Sequence, residues 1–218
     1  MADAAFDFFS DEPISAEAII TLAEPLPAWQ TVGGPIALVL FFILLCFLLR
    51  WFIPFKDQTL SFSLQDLPVA AQRGIGLAAV LFGVAFFFGI AQAINQVEIH
   101  GSTDAYFQSM TKTKLLTFTH AHLFGFTTAF FIIGIPFSMH FNRVRLYQWM
   151  FPAGLAAALT DIMSWWGIKY ISPNFDYVTM ACGVIYGGCY LVMLIGVIRI
   201  MFFPSVRWLP DYINEGKQ

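Results

Sequence analysis

Apolar residues gather into five long runs, at 33–53, 73–95, 115–141, 146–170 and 175–203, separated by shorter polar segments. Each run reaches the roughly 20 residues that an α-helix needs to cross a hydrocarbon core of about 30 Å. The alternation in Leu60–Leu64 is too short to read as a strand. The pattern predicts an all-α integral membrane bundle of five transmembrane helices. It divides the chain into an acidic tail at 1–32, a transmembrane domain at 33–203 and a C-terminal tail at 204–218. There is no internal repeat and no second domain.

The connections differ in character. Residues 54–72 are polar, with Pro54 and Pro68 near their ends, and residues 96–114 form the largest expected loop and carry His100. A tight basic loop spans 142–145, and Ser172, Pro173 and Asn174 form a turn. Gly74, Gly76, Gly83 and Gly89 in the second span, and Gly183, Gly187 and Gly188 in the last, are small residues of the kind that let helix backbones approach closely in lipid. Phenylalanines such as Phe86–Phe88, Phe130 and Phe131 are expected to face lipid or fill the core.

Charge sets an expected orientation, because cytoplasmic loops retain Lys and Arg. Arg50, Lys56 and Arg73 bound the first loop, Arg143 and Arg145 the third, and Arg199 and Arg207 the C-terminal end. The second loop adds Glu98 and Asp104 to Lys112 and Lys114, and the N-terminal tail carries acids only. This predicts the N-terminus outside and the C-terminus in the cytoplasm of a multi-pass bacterial inner-membrane protein. The tail lacks the basic start and apolar core of a signal peptide. It reads as a translocated segment in which Ser15–Ala23 forms a short surface helix ended by Pro25 and Pro27, with Trp29 as an interfacial anchor.

Composition agrees: 58% of residues are hydrophobic and 11% charged, where an ordinary soluble domain carries about 25% charge. A net charge of −3 and no basic stripe argue against nucleic acid as a partner. Cys46, Cys182 and Cys189 fall inside apolar spans without CxxC spacing and read as packing residues. No c-type haem attachment motif, hydrolase constellation or phosphate loop is present, so independent catalysis is not expected.

Chemistry concentrates in the third span. Ionisable side chains inside the membrane are expensive and mark functional sites by default. His120 and His122 lie there, roughly 10 Å below the outer interface at 1.5 Å per residue. Positions i and i+2 are about 200° apart on a helix, so the two imidazoles cannot share one metal. They suit two sites on opposite faces, such as two haems taking one imidazole each. Asp161, eight or nine residues before the outer end of the fourth span, falls at the depth of His122. It is expected to support the ring by a hydrogen bond or to relay protons, with Thr160 and Ser164 nearby. Trp165 and Trp166 suit either an interfacial belt or a cofactor contact.

The segment Thr119-His120-Ala121-His122-Leu123-Phe124-Gly125 resembles the His-x-His helix of heme-copper oxidase catalytic subunits. There, one helix gives one His to a low-spin haem and the other to the active-site haem. With four histidines in all, and none in the second span, the chain lacks the copper ligands and cannot be such a catalytic subunit. The same segment, with Asp161 followed by Trp165 and Trp166, is also similar to a loosely described group of bacterial inner-membrane proteins without an established activity.

The expected function is therefore a cytochrome b-like subunit of a membrane electron-transfer complex. It would bind b-type haem through His120 and His122 and pass electrons between a quinone and a periplasmic cytochrome c. His100, Met180 or Met163 would complete the axial ligands. His140, about 27 Å along the helix from His122, belongs elsewhere and is expected at the inner headgroup level beside Arg143. The alternatives are a non-redox accessory subunit of a larger membrane complex and, third, a small proton-coupled transporter using Asp161 and the histidines.

Overall fold

A computed structural model describes residues 27, 29–53, 63–141 and 144–203. The expected helix at Ser15–Ala23, most of the acidic tail, Lys56, Arg143 and the C-terminal tail lie outside the described residues. Those described are almost entirely helical, with no strand among them. After a π-helical turn at Trp29–Gly33 come α1 (Gly34–Phe52), α2 (Val69–His100), the short α3 (Thr103–Ser109), α4 (Lys112–His140), α5 (Arg145–Tyr170) and α6 (Asp176–Phe202). Two 3₁₀ turns, Leu64–Asp66 and Pro173–Phe175, introduce α2 and α6.

Four helical segments are long and apolar enough to cross a membrane: Thr31–Phe52, Val69–His100, Lys112–His140 and Pro173–Phe202. The fifth long helix, α5, is less apolar because its neighbours are protein. It packs against α1, α3, α4 and α6, and it buries Ala156, Ala157, Ala158, Thr160, Asp161, Ser164 and Trp165. By contrast α1 buries no residue, and the half of α2 nearest His100 is largely exposed. Hydroxyls and small side chains on α5 are thus enclosed by other helices.

Residues 96–114 are mostly helix, which corrects the expected loop. α2 continues to His100 and stops where Gly101 takes φ 83°, a left-handed conformation that suits glycine, with its N–H on the Val97 carbonyl at 2.8 Å. Ser102 then caps α3 through the Ala105 N–H at 3.3 Å, and Thr111 caps α4 through the Lys114 N–H at 3.1 Å. Polar residues here serve as caps, and capped short helices leave few backbone groups unpaired.

Phenylalanines set into glycine notches hold the bundle together. The ring of Phe130 on α4 lies over Gly154 on α5, while Phe151 on α5 lies over Gly134 on α4. Phe137 covers Gly196 of α6, and Phe175 fits between Gly34 and Gly167. A β-carbon at Gly154 would stand 2.3 Å from Phe130, so the missing side chain is what admits the ring. In the second span Gly76 and Gly83 meet Phe202 and Leu194, whereas Gly74 and Gly89 face open space. Gly183 and Gly188 of the last span are also open among the described residues, whereas Gly187 meets Phe86 of α2.

Candidate functional site

α4 is regular through Thr119–Gly125, so its geometry separates the two histidines as helical spacing requires. His120 is exposed on the outside of the bundle and His122 is half-buried. Nδ1 of His122 lies 2.8 Å from the carbonyl oxygen of Phe118, one turn earlier. A carbonyl only accepts, so Nδ1 carries the hydrogen and the lone pair of the neutral ring sits on Nε2. Metal-binding histidines are commonly oriented by this kind of bond on the ring's other nitrogen. Aromatic rings surround the imidazole: Phe118 at 4.4 Å, Trp165 edge-on at 5.0 Å and Phe126 at 5.6 Å between centroids.

His100 repeats the arrangement at the last residue of α2, with Nδ1 donating to the Gln96 carbonyl at 3.0 Å. Its ring meets Tyr106 of α3 at 5.0 Å, Tyr106 meets Phe118 at 6.4 Å, and Phe118 meets His122. A ladder of rings therefore links the two histidines. Met180 and Met163 are exposed on outward faces of α6 and α5. His140, the last residue of α4, is buried. The backbone N–H of Leu64 donates to its Nδ1 at 3.4 Å, so this ring holds the 63–66 segment beneath α4. Nδ1 accepts here, the opposite tautomer to that of His122.

Asp161 occupies the middle of α5 with 3% of its surface exposed. The side chain of Trp165, one turn on, lies beside its carboxylate. Trp165 thus stands against both Asp161 and His122, and couples them without direct contact. Trp165 is itself 5% exposed and stacks on Phe107 at 5.1 Å, so it is a core residue and has no place in an interfacial belt. Trp166 is partly buried and donates through Nε1 to Thr119 Oγ1 at 2.9 Å, tying α5 to the turn that holds His120.

The hydroxyls around Asp161 are engaged. Thr160 Oγ1 donates to the Ala156 carbonyl at 2.8 Å and Ser164 Oγ to the Asp161 carbonyl at 2.5 Å. Ser164 also bonds to Thr179 of α6, a residue that sequence reasoning missed. Its signal was the spacing Asp176, Thr179, Cys182, Tyr186, a polar or small residue at every helical turn of an apolar run. Oδ1 of Asp161 has no hydrogen-bond partner among the described residues. No group of three or more His, Cys, Asp or Glu side chains converges among the described residues. Haem, which takes one or two axial ligands, requires no such group.

Comparison with curated proteins gives no match, and neither does comparison with solved structures. A family model described as a transmembrane helical domain matches residues 76–207, more than half of the chain. The matched stretch runs from within α2 through α6 and includes all four histidines and Asp161. The chain therefore belongs to this family of transmembrane helical domains.

Proposed function

We propose that the protein is a membrane subunit of an electron-transfer complex that binds b-type haem, with His122 as an axial ligand. The observation that carries this reading is the bond from His122 Nδ1–H to the Phe118 carbonyl. It leaves Nε2 as the lone-pair nitrogen on a half-buried ring among aromatic side chains. His100, oriented in the same way and linked to His122 by Tyr106 and Phe118, is the second imidazole on that side. His120, on the opposite face of α4, would present a ligand to a second haem shared with a neighbouring subunit. A quinone and a periplasmic cytochrome c are the electron partners in this reading.

The reading includes five spans, with the N-terminus outside the bacterial inner membrane. α5 has 26 residues, about 39 Å at 1.5 Å per residue, which exceeds the hydrocarbon core. Arg50, Arg73, Arg145 and Arg199 lie toward one end of the bundle, whereas Glu98, Asp104 and Asp176 lie toward the other. Bacterial inner-membrane topology places the arginine end in the cytoplasm, and His100 and His122 toward the periplasm.

The test is a reduced-minus-oxidised visible spectrum with a pyridine haemochrome assay on the detergent-purified protein. The expected result is a b-type α-band that His122→Ala abolishes, at least for one haem, and that His140→Ala leaves intact. A featureless spectrum from protein that co-elutes with a larger complex would favour a non-redox accessory subunit. The open surface at Gly183 and Gly188 favours that second reading, because small residues there admit a helix from another chain.

A further inference from the structure

We propose that the seam between α5 and α6 is a hydrated inlet through which protons from the α3 end of the bundle reach Asp161. The inference stands apart from haem binding. It rests on a row of oxygen-bearing side chains along one seam of an otherwise apolar bundle. Asp176 opens α6, Thr179 follows one turn deeper, Ser164 faces Thr179 from α5, and Asp161 lies one turn deeper again. Side chains three residues apart on a helix are neighbours, about 5–6 Å between β-carbons.

The hydrogen bonds give the row a direction. The single hydrogen of Ser164 goes to the Asp161 carbonyl, so Thr179 is the donor in the Ser164–Thr179 bond. Thr179 Oγ1 then keeps lone pairs for a donor arriving from the Asp176 side. At the two ends of this hydroxyl pair stand two enclosed carboxylate oxygens, Oδ1 of Asp176 and Oδ1 of Asp161, neither with a partner among the described residues. Leaving such an oxygen unsatisfied is costly. Buried polar groups of this kind are met by ordered water, which makes about three hydrogen bonds per molecule. Packing alone would have placed apolar side chains here, as it does at Val178 and Ile162 on the same two helices.

The surroundings are consistent with an inlet that ends at Asp161. Asp104 of α3 lies within electrostatic reach of Asp176, so the mouth is acidic and attracts cations. Beyond Asp161, Cys182 and Tyr186 of α6 lie within reach of its charge, Trp165 lies beside it, and α1 closes the seam with Leu38 and Phe42. In a transfer step Ser164 turns its hydrogen from the Asp161 carbonyl to a water against Oδ1, and each hydroxyl accepts one proton as it releases another. Ser164 and Thr179 are unchanged, and the proton that leaves the aqueous phase ends on Oδ1 of Asp161.

The experiment is infrared spectroscopy of the full chain in lipid nanodiscs after a pH jump, with the Asp161 carboxyl signal assigned by its loss in Asp161→Asn. The wild-type signal should follow the jump, and Thr179→Val and Ser164→Ala should slow it roughly tenfold, one lost link of the chain. A silent Asp161 in monodisperse wild-type protein would overturn the proposal. So would a response in Thr179→Val as fast as the wild type. A second measurement guards against misfolded variants. With Cys46, Cys182 and Cys189 replaced by Ala, single cysteines at Asp176, Thr179 and Ser164 are treated with a charged methanethiosulfonate. Labelling should slow in that order, and Ile162→Cys, buried about 200° around α5 from Ser164, should not label. Equal labelling of Ile162→Cys and Ser164→Cys would sink the inlet.

Discussion

Replacing Gly154 by alanine is the sharpest test of how the bundle is held together. The added β-carbon would stand 2.3 Å from Cε1 of Phe130 and 3.1 Å from the β-carbon of Cys189. Carbon atoms prefer about 3.5–4.0 Å, so the first contact is far inside the repulsive wall. Phe130 is 1% exposed and rests on Tyr190 at 5.5 Å. The ring has little room to retreat, and Cys189 blocks the other side from the backbone of α6. Overpacking of this kind costs about 1–3 kcal/mol. Gly183→Ala is the matched control, because nothing lies within 4 Å of its added carbon. Both changes carry the same gain in helix propensity, so the difference between the two variants isolates the clash. For a chain of this size that difference corresponds to roughly 2–4 °C in Tm for each kcal/mol. Detergent-solubilised variants would be compared by thermal unfolding followed with gel filtration. Adding Phe130→Leu should recover part of the loss only in the Gly154→Ala background. Equal melting of Gly154→Ala and Gly183→Ala would refute the notch reasoning.

Three further outcomes follow from other contacts. Trp165→Phe keeps the aromatic packing on Phe107 but removes the indole N–H beside Asp161, and should destabilise the fold by about 1–3 kcal/mol; Asp161→Asn in the same background should not add its full single-variant cost. Gly101→Ala forces a β-carbon onto a residue at φ 83° and should cost about 1–2 kcal/mol, read as faster amide exchange at the junction of α2 and α3. His140→Ala removes the acceptor for the Leu64 N–H, so limited proteolysis should cut faster near residues 63–66 while the spectrum of any bound haem stays unchanged.

The linear chain determined its solvent and the long helices. Runs of apolar residues the length of a bilayer leave helices or closed barrels as the only structures that satisfy every backbone group in lipid. The span boundaries read from polarity fall within a few residues of the helix ends, at Gly34–Phe52, Arg145–Tyr170 and Asp176–Phe202. Helical spacing alone was also enough to put His120 and His122 on opposite faces. It was not enough to say which ring turns inward, because a helix carries no label for its buried side until its neighbours are placed. Local polarity misled at residues 96–114, where caps and polar helix surfaces look like a loop. Only the packed structure enclosed α5, the least apolar of the long helices, among the others. Only packing set Trp165 between Asp161 and His122, brought Thr179 of α6 to Ser164 of α5, and buried His140 against Leu64. Apart from Trp165 and Asp161, one turn apart on α5, those contacts join residues 15 to 76 positions apart. Their existence depends on how helices cross, which phenylalanine and glycine shapes decide and hydropathy does not record.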